Sequence, residues 1–296
     1  MRQKDMVEKL LEDYDDVFAD IVNVLLLDGK QIVDKDSLSE ANLISQYKAE
    51  TGRQHEQERD VAKYWEDGNV RIALCGLENQ TKEEKYMPLR VIGYDGASYR
   101  QQLLKENEGK KIVPVTTLVL YYGTTKWKSP KNLKGVVHMN AQIEPFVNDY
   151  KVNVFNIAFL DEETLQKFTS DFRIVADFFV QKRKNEDYQP NAQTIIHVDA
   201  VLKFLKSMTG DSRYEIKFSQ EEKERGVSMC NVIDKAENKG IEKGIEKGIE
   251  IGKLDAYFDM VLDGGMTLKK VSFKMNMSEE AILEKFKIWK EKNMTN

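Results

Sequence analysis

Three side chains are spaced as a divalent-metal site would need them. Asp60 opens a short apolar run, Val61–Trp65, and Glu78 and Gln80 follow a second run, Val70–Leu77. Between the runs lies Glu66-Asp67-Gly68-Asn69, which carries the Asp-Gly signal of a hairpin turn. Side chains alternate along a strand, so Glu78 and Gln80 share a face. Mg²⁺ prefers one or two carboxylates and keeps several of its waters. Held in that way, it polarises a phosphate and activates a water, which is what phosphodiester hydrolysis requires. The expected metal ligands are Asp60 and Glu78, and the expected catalytic set is Asp60, Glu78 and Gln80, with Mg²⁺ or another divalent cation as cofactor. Taken singly, Asp60 is an ordinary solvated strand start and Glu78 ordinary loop surface; only together do they read as a site.

The hairpin decides whether the set can meet. With a two-residue turn at Asp67-Gly68, Glu66 pairs with Asn69, Asp60 pairs with Cys75, and Glu78 faces away from Asp60. With a three-residue loop, Asp67-Gly68-Asn69, and a bulge, Glu66 pairs with Val70 and Asp60 with Gly76. Asp60, Glu78 and Gln80 then face one way. The second register is the one expected.

The elements around the hairpin follow from periodicity. Residues 4–27 have helical spacing of apolar side chains, ended by Asp28-Gly29. A short extended piece follows, and residues 41–58 read as a loop or marginal helix. Met87–Leu104 is a helix with Pro88 in its first turn. Val113–Tyr122 and Val152–Leu160 are strands, and Asp161 caps a helix running through Phe179. A further helix spans about Ala192–Met208. This order predicts a mixed α/β domain over residues 1–215. Arg90 and Tyr94 on the 87–104 helix read as braces for that helix rather than phosphate contacts.

Composition is that of an ordinary water-facing protein, 41% hydrophobic and 32% charged. The longest apolar runs, Ile21–Leu27 and Val115–Tyr122, are too short to span a bilayer, so no membrane partner is expected. The first residues carry acids where a signal peptide has its apolar middle, which suggests a cytoplasmic location. Cys75, inside an apolar run, reads as a small buried thiol. The net charge of −5 lacks the general basic signature of a nucleic-acid binder. His55, His138 and His197 show no metal-ligand spacing and read as surface or structural residues.

Beyond residue 215 the character changes. Residues 216–262 form a charged helical linker that contains GIEKGIEKGIEIG, with Gly at 240, 244, 248 and 252. Each interior Gly costs a helix about 1 kcal/mol relative to Ala. Two readings stand: a flexible, partly helical spacer, or close pairing of helices in a homodimer across the small-residue stripe. Residues 263–296 form a small helical hairpin with Ser278 as an N-cap. Residues 266–296 hold seven lysines against four glutamates, a balance of +3. The hairpin is either a packing unit or similar to a helix-turn-helix, although acids begin its second helix where base-contacting residues usually lie.

Several segments together carry a family resemblance. Asp60, Glu78-Asn79-Gln80-Thr81, Met87-Pro88-Leu89-Arg90 and Tyr94-Asp95 resemble the recombination-promoting nuclease (Rpn) family, also described as YhgA-like putative transposases, of the PD-(D/E)XK nuclease superfamily. Phe18-Ala19-Asp20 with Asn23, Leu118–Gly123 with Trp127 and Pro130, and the Gly repeat of the tail agree with it. The resemblance implies a restriction-endonuclease-like core, a mixed central sheet flanked by helices in the order α-β-β-β-α-β, followed by a helical C-terminal tail. It implies Mg²⁺-dependent endonucleolytic cleavage of DNA, linked to recombination, DNA mobility or defence. Asp60 and Glu78 would stand at the acidic positions of the superfamily motif. Gln80 stands where many relatives carry Lys; an amide orients water but brings no positive charge, leaving more of the electrostatic work to the metal. No proline precedes Asp60. Asp20 would reach a metal through water, or else be a solvated helix acid. The alternative function is a catalytically inactive relative that binds DNA or a protein.

Overall fold

A computed structural model describes residues 11–41, 44–48, 54–58, 61–67, 70–76, 83–105, 112–184, 188–190 and 192–294. The chain divides into two compact units, residues 1–232 and 233–296.

The first unit is mixed α/β. Its main sheet has five strands in the order β1 (Leu38–Glu40), β4 (Val61–Trp65), β5 (Val70–Gly76), β6 (Val115–Tyr121) and β7 (Asn153–Asn156). β1, β4 and β5 run antiparallel in turn, whereas β5, β6 and β7 run parallel. A parallel neighbour needs a crossover, and α2 (Met87–Lys105) supplies it between β5 and β6. Helix α1 (Asp15–Leu25) precedes the sheet. Leaving aside one inserted hairpin, the order is helix, three strands, helix, strand.

β6 is covered on both faces. Val119 and Tyr121 pack with Met87, Val91 and Tyr94 of α2, and with Trp127 and Val152. Leu118 and Leu120, which alternate with them, are also fully buried. Just past the strand, the Tyr122 ring lies 5.0 Å from Phe179 and 5.6 Å from Phe204, on α4 (Phe172–Arg183) and α5 (Val198–Thr209).

The helix read over residues 4–27 is interrupted by a turn at Asp13-Tyr14, and the one read over about Ala192–Met208 begins only at Val198, after a short strand at Thr194–Ile195. Three further expectations are corrected by the fold. Residues 41–58 contain a β-hairpin, β2 (Ile44–Lys48) with β3 (Gln54–Glu58), in a sheet of their own. Ladder hydrogen bonds come from the backbone, so this polar pair leaves no apolar alternation to read. The fourth strand is shorter than Val152–Leu160, because Ile157–Phe159 form a 3₁₀ turn. The helix expected from Asp161 through Phe179 is two helices, α3 (Glu162–Lys167) and α4. Asp161 does cap α3, accepting from the Thr164 amide. The break falls at Thr169-Ser170, where the Ser170 hydroxyl accepts from the Phe172 amide. Ser and Thr offer the backbone such local alternatives to a helix.

A short helix, α6 (Gln220–Glu224), is followed by α7 (Met229–Leu262), most of it in the second unit, which runs through the whole glycine repeat as one helix. Helices α8 (Leu268–Met275) and α9 (Glu279–Met294) follow, joined through Asn276 in the left-handed conformation (φ 51°). The Ser278 hydroxyl accepts from the Ala281 amide, the N-cap expected from sequence. Leu254 and Phe258 of α7 meet Val271 of α8 and Ile282 of α9 in one core, with Phe286 and Trp289 against Phe258. No helix among the described residues is long and apolar enough to cross a membrane.

Candidate functional site

The hairpin carries the outcome for the candidate site. Trp65 pairs with Val70, Tyr64 with Arg71, Lys63 with Ile72, Ala62 with Ala73 and Val61 with Leu74. This is the two-residue register and not the bulged one expected. Were strict alternation to continue beyond these pairs, Asp60 would stand opposite Cys75 and Glu78 would face the other way. Asp60, Glu78 and Gln80 themselves lie outside the described residues. Among the described residues, no group of three or more His, Cys, Asp or Glu side chains is placed to hold a metal ion.

The structure does show how the frame around the hairpin is held. Lys63 points from β4 into a buried position, its side chain only 4% exposed, with its ammonium 2.7 Å from Asp15 and 3.5 Å from Asp13. A buried ammonium is tolerable only when paired, so this contact ties the hairpin to the start of α1. Asp15 and Asp16 also sit in the first turn of α1, where the helix dipole favours negative charge.

Asp20 is neither solvated nor open to a metal. It is 3% exposed, and its carboxylate accepts from the Thr169 amide (3.0 Å), the Thr169 hydroxyl (3.2 Å) and the Ser170 amide (2.8 Å). These amides belong to the loop between α3 and α4, where neither helix supplies them an acceptor. Asn23, one turn on, holds the chain that leaves α1: its side chain accepts from the Ile32 and Val33 amides and donates to the Val33 carbonyl. The Phe18–Asn23 segment of the resemblance is thus a set of anchors.

The segment after the candidate acids is anchored in the same way. Glu83 accepts from the Ser129 amide. Partial desolvation works to raise its carboxyl, but hydrogen bonds from Ser129 and Lys128 outweigh this and hold it below the usual range. Trp127 donates through its indole to the Ser129 carbonyl (2.8 Å), and its amide donates to Asn156 (2.7 Å). Asp95 is buried on α2 and accepts from the Thr117 hydroxyl of β6 (2.6 Å) and from the Tyr150 hydroxyl. Arg90 donates to the Tyr94 hydroxyl (3.1 Å), the bracing role expected for that pair.

One constellation was not foreseen. His197 Nε2 lies 2.9 Å from Asp16, with Tyr14 stacked on its ring at 3.6 Å. The His197 and Ile196 amides donate to Asp171, whose carboxyl burial raises above the usual range despite those bonds. Asp16 and His197 stand far apart in the chain, and no local spacing marks them as partners. His138 is exposed, and the side chain of His55 lies outside the described residues.

No curated protein and no solved structure matches the chain. A family model does match, over residues 66–210, a span that includes Glu78, Gln80, α2 and β6 but begins after Asp60. Over residues 66–210 the chain is similar to the family described as "Putative transposase, YhgA-like", the family it resembles in Glu78–Thr81, Met87–Arg90 and Tyr94-Asp95.

Proposed function

We propose that this protein is a metal-dependent DNA endonuclease with a restriction-endonuclease-like core, in which Asp60 and Glu78 hold Mg²⁺ and Gln80 orients the attacking water. The family match over residues 66–210 carries this reading, because it covers Glu78 and Gln80. The order helix, three strands, helix, strand in the main sheet supports it as the arrangement the resemblance implies. The donor set suits the ion: hard carboxylate oxygens are the ligands Mg²⁺ takes. Bound there, the metal would supply charge at the phosphate and a more acidic water. The chain's own share is to fix the two acids, to position water through the Gln80 amide and to admit DNA.

The observed register sets a condition on this reading. Asp60 and Glu78 can share a site only if the alternation shifts by one residue beyond the Val61–Leu74 pair. Bulges that re-aim a side chain in this way are frequent beside active sites. The same register favours a second reading, a non-catalytic relative that binds DNA or protein, because strict alternation separates the acids.

Nicking of supercoiled plasmid discriminates the two. The nuclease reading expects cleavage with Mg²⁺, none with EDTA, and a loss of at least about a hundredfold in both Asp60→Ala and Glu78→Ala. Calorimetric titration with Mg²⁺ adds a readout independent of turnover. Binding that survives both substitutions would place the metal elsewhere, and cleavage equal in both variants would remove these acids from the chemistry.

A further inference from the structure

Two cations share one aromatic ring at the carboxyl ends of the parallel strands. Phe159 closes the 3₁₀ turn after β7, and the Arg183 guanidinium stands 4.5 Å from the centre of its ring. The Lys126 ammonium, from the loop after β6, stands 5.6 Å from the same centre. Among the described residues, neither cation enters an ion pair. Lys128, two residues on, differs, because its charge helps to hold the Glu83 carboxyl below the usual range.

Both cations stand on a fixed frame. A Cβ on Gly123 would run into the Tyr121 ring, so the chain leaving β6 passes close against that ring. The Thr125 hydroxyl lies 3.5 Å from the Tyr121 hydroxyl. Trp127 is buried, and its amide donates to Asn156 at the end of β7 (2.7 Å). Between these anchors Lys126 is exposed. Arg183 is half-buried, and its Nε donates to the Ala158 carbonyl (2.7 Å). Two like charges gathered in this way repel each other, and the face of one ring offsets only part of that. What the arrangement lacks is an anion.

The place in the fold selects the anion. Ligands of open α/β sheets bind outside the carboxyl ends of the strands. β5, β6 and β7 all end at this edge, β5 at Gly76, two residues before Glu78 in the chain. The two cations stand no further apart than the sum of their distances to the ring. That span faces neighbouring phosphates of one DNA strand, which succeed one another every ~3.4 Å of axis. We propose that Lys126 and Arg183, set around Phe159, grip the phosphate backbone of duplex DNA at the carboxyl edge of the sheet. This rests on DNA being the substrate of the proposed nuclease. Contacts to phosphate position a duplex and carry no sequence information. They also add positive charge to a chain whose Gln80 brings none.

Fluorescence anisotropy of the full chain on a labelled DNA duplex, in EDTA and at several salt concentrations, tests the contact without turnover. Each phosphate contact contributes about 0.9 to the slope of log K against log salt. Lys126→Gln is expected to make that slope shallower by about one and to weaken binding about equally on unrelated sequences. Lys126→Gln with Arg183→Gln is expected to make it shallower by about two. Arg183→Lys keeps the charge and should keep the slope, which separates lost charge from disturbed packing at Ala158. Lys203→Gln removes the same charge from an exposed position on α5 and should leave the slope unchanged. An unchanged slope in the double variant, an equal change in Lys203→Gln, or a change with duplex RNA and not with DNA overturns the proposal. Absence of binding at the lowest salt overturns it too, and plasmid nicking by the unsubstituted chain would then still uphold the nuclease reading. The expected slopes without nicking would uphold this contact and remove the cleavage.

Discussion

Residues 1–232 bury carboxylates, whereas residues 233–296 leave isoleucines in water. In the first unit each buried acid receives hydrogen bonds from a distant segment. Asp20 takes the Thr169 and Ser170 amides, Asp171 the Ile196 and His197 amides, Asp95 the Thr117 and Tyr150 hydroxyls, and Glu12 the Tyr122 hydroxyl. Asp20 and Asp171 clamp loop amides that would otherwise go unsatisfied, and Asp95 and Glu12 hold side-chain hydroxyls, so that together they fix where the helices stand against the sheet. Among the described residues of the smaller unit there are no such clamps. It closes a core around Phe258 at one end of α7 and presents a patterned ridge along the rest. Buried polarity organises residues 1–232 from within; along α7 an apolar row stays in solvent.

The sharpest way to break this contrast is to remove the anchor of the smaller core. Phe258 is 1% exposed and packs on Phe286 and Trp289. Phe258→Ala is expected to cost about 3–5 kcal/mol, more than so small a core can absorb. Hydrogen exchange should then show amides of residues 254–294 losing protection while those of β6 keep it. Loss of protection in β6 as well would mean that the two units fold as one.

Next in size comes the clamp at the helix break. Asp20→Ala leaves the Thr169 and Ser170 amides without their acceptor and is expected to destabilise the first unit by about 2–3 kcal/mol. Asp20→Asn keeps an acceptor oxygen and should cost roughly half as much. Urea denaturation followed by tryptophan fluorescence measures both, and equal effects would show that shape rather than hydrogen bonding holds the break.

What the sequence discloses follows the same division. Apolar periodicity and turn chemistry locate α1, though not its start after the turn at Asp13-Tyr14, and its stop at Asp28-Gly29, both with positive φ. They locate α2 behind Pro88, the strands β4, β5 and β6, and the Ser278 cap. The clamps are illegible, since nothing near Asp20 names Thr169 and nothing near Lys63 names Asp15. The helix break at Thr169-Ser170 is hidden for that reason: the acid that stabilises it lies in α1. The register of β4 and β5 is hidden for another. Val70–Leu77 is apolar almost throughout, so a slip by one residue exchanges apolar side chains for apolar ones and burial cannot choose between registers. Asp60, Glu78 and Gln80 read as a donor set and carry a family resemblance, and neither fixes which face each takes.

A smaller effect separates charge from packing in the first unit. Burial raises the Asp171 carboxyl, against the hydrogen bonds from His197 and Ile196 and the nearby His197 ring, with Asp16 adding to the rise. A carboxyl raised by folding binds its proton more tightly in the folded state. Stability therefore falls as pH climbs from the ordinary value of 3.8 through the raised one, then stays level above it. Asp171→Asn keeps an acceptor for the two amides and abolishes the titration. It should flatten that part of the stability profile and change neutral-pH stability by only about 1 kcal/mol. Urea midpoints taken at intervals from pH 4 to pH 7 give the slope, and an unchanged slope would show that another group carries it.

The smallest expected effect on folding is also the most telling for the contrast between the units. Ile245 is 57% exposed on α7 and lies outside the Phe258 core. Ile245→Lys should shift the stability of the dilute chain by no more than about 0.5 kcal/mol, as ordinary surface substitutions do. Urea denaturation of the substituted and unsubstituted chains, followed by circular dichroism, measures the shift. If the lysine destabilised the dilute chain as much as the Asp20 substitution does, Ile245 would be packed within its own chain, and the smaller unit would be organised from inside like the larger one.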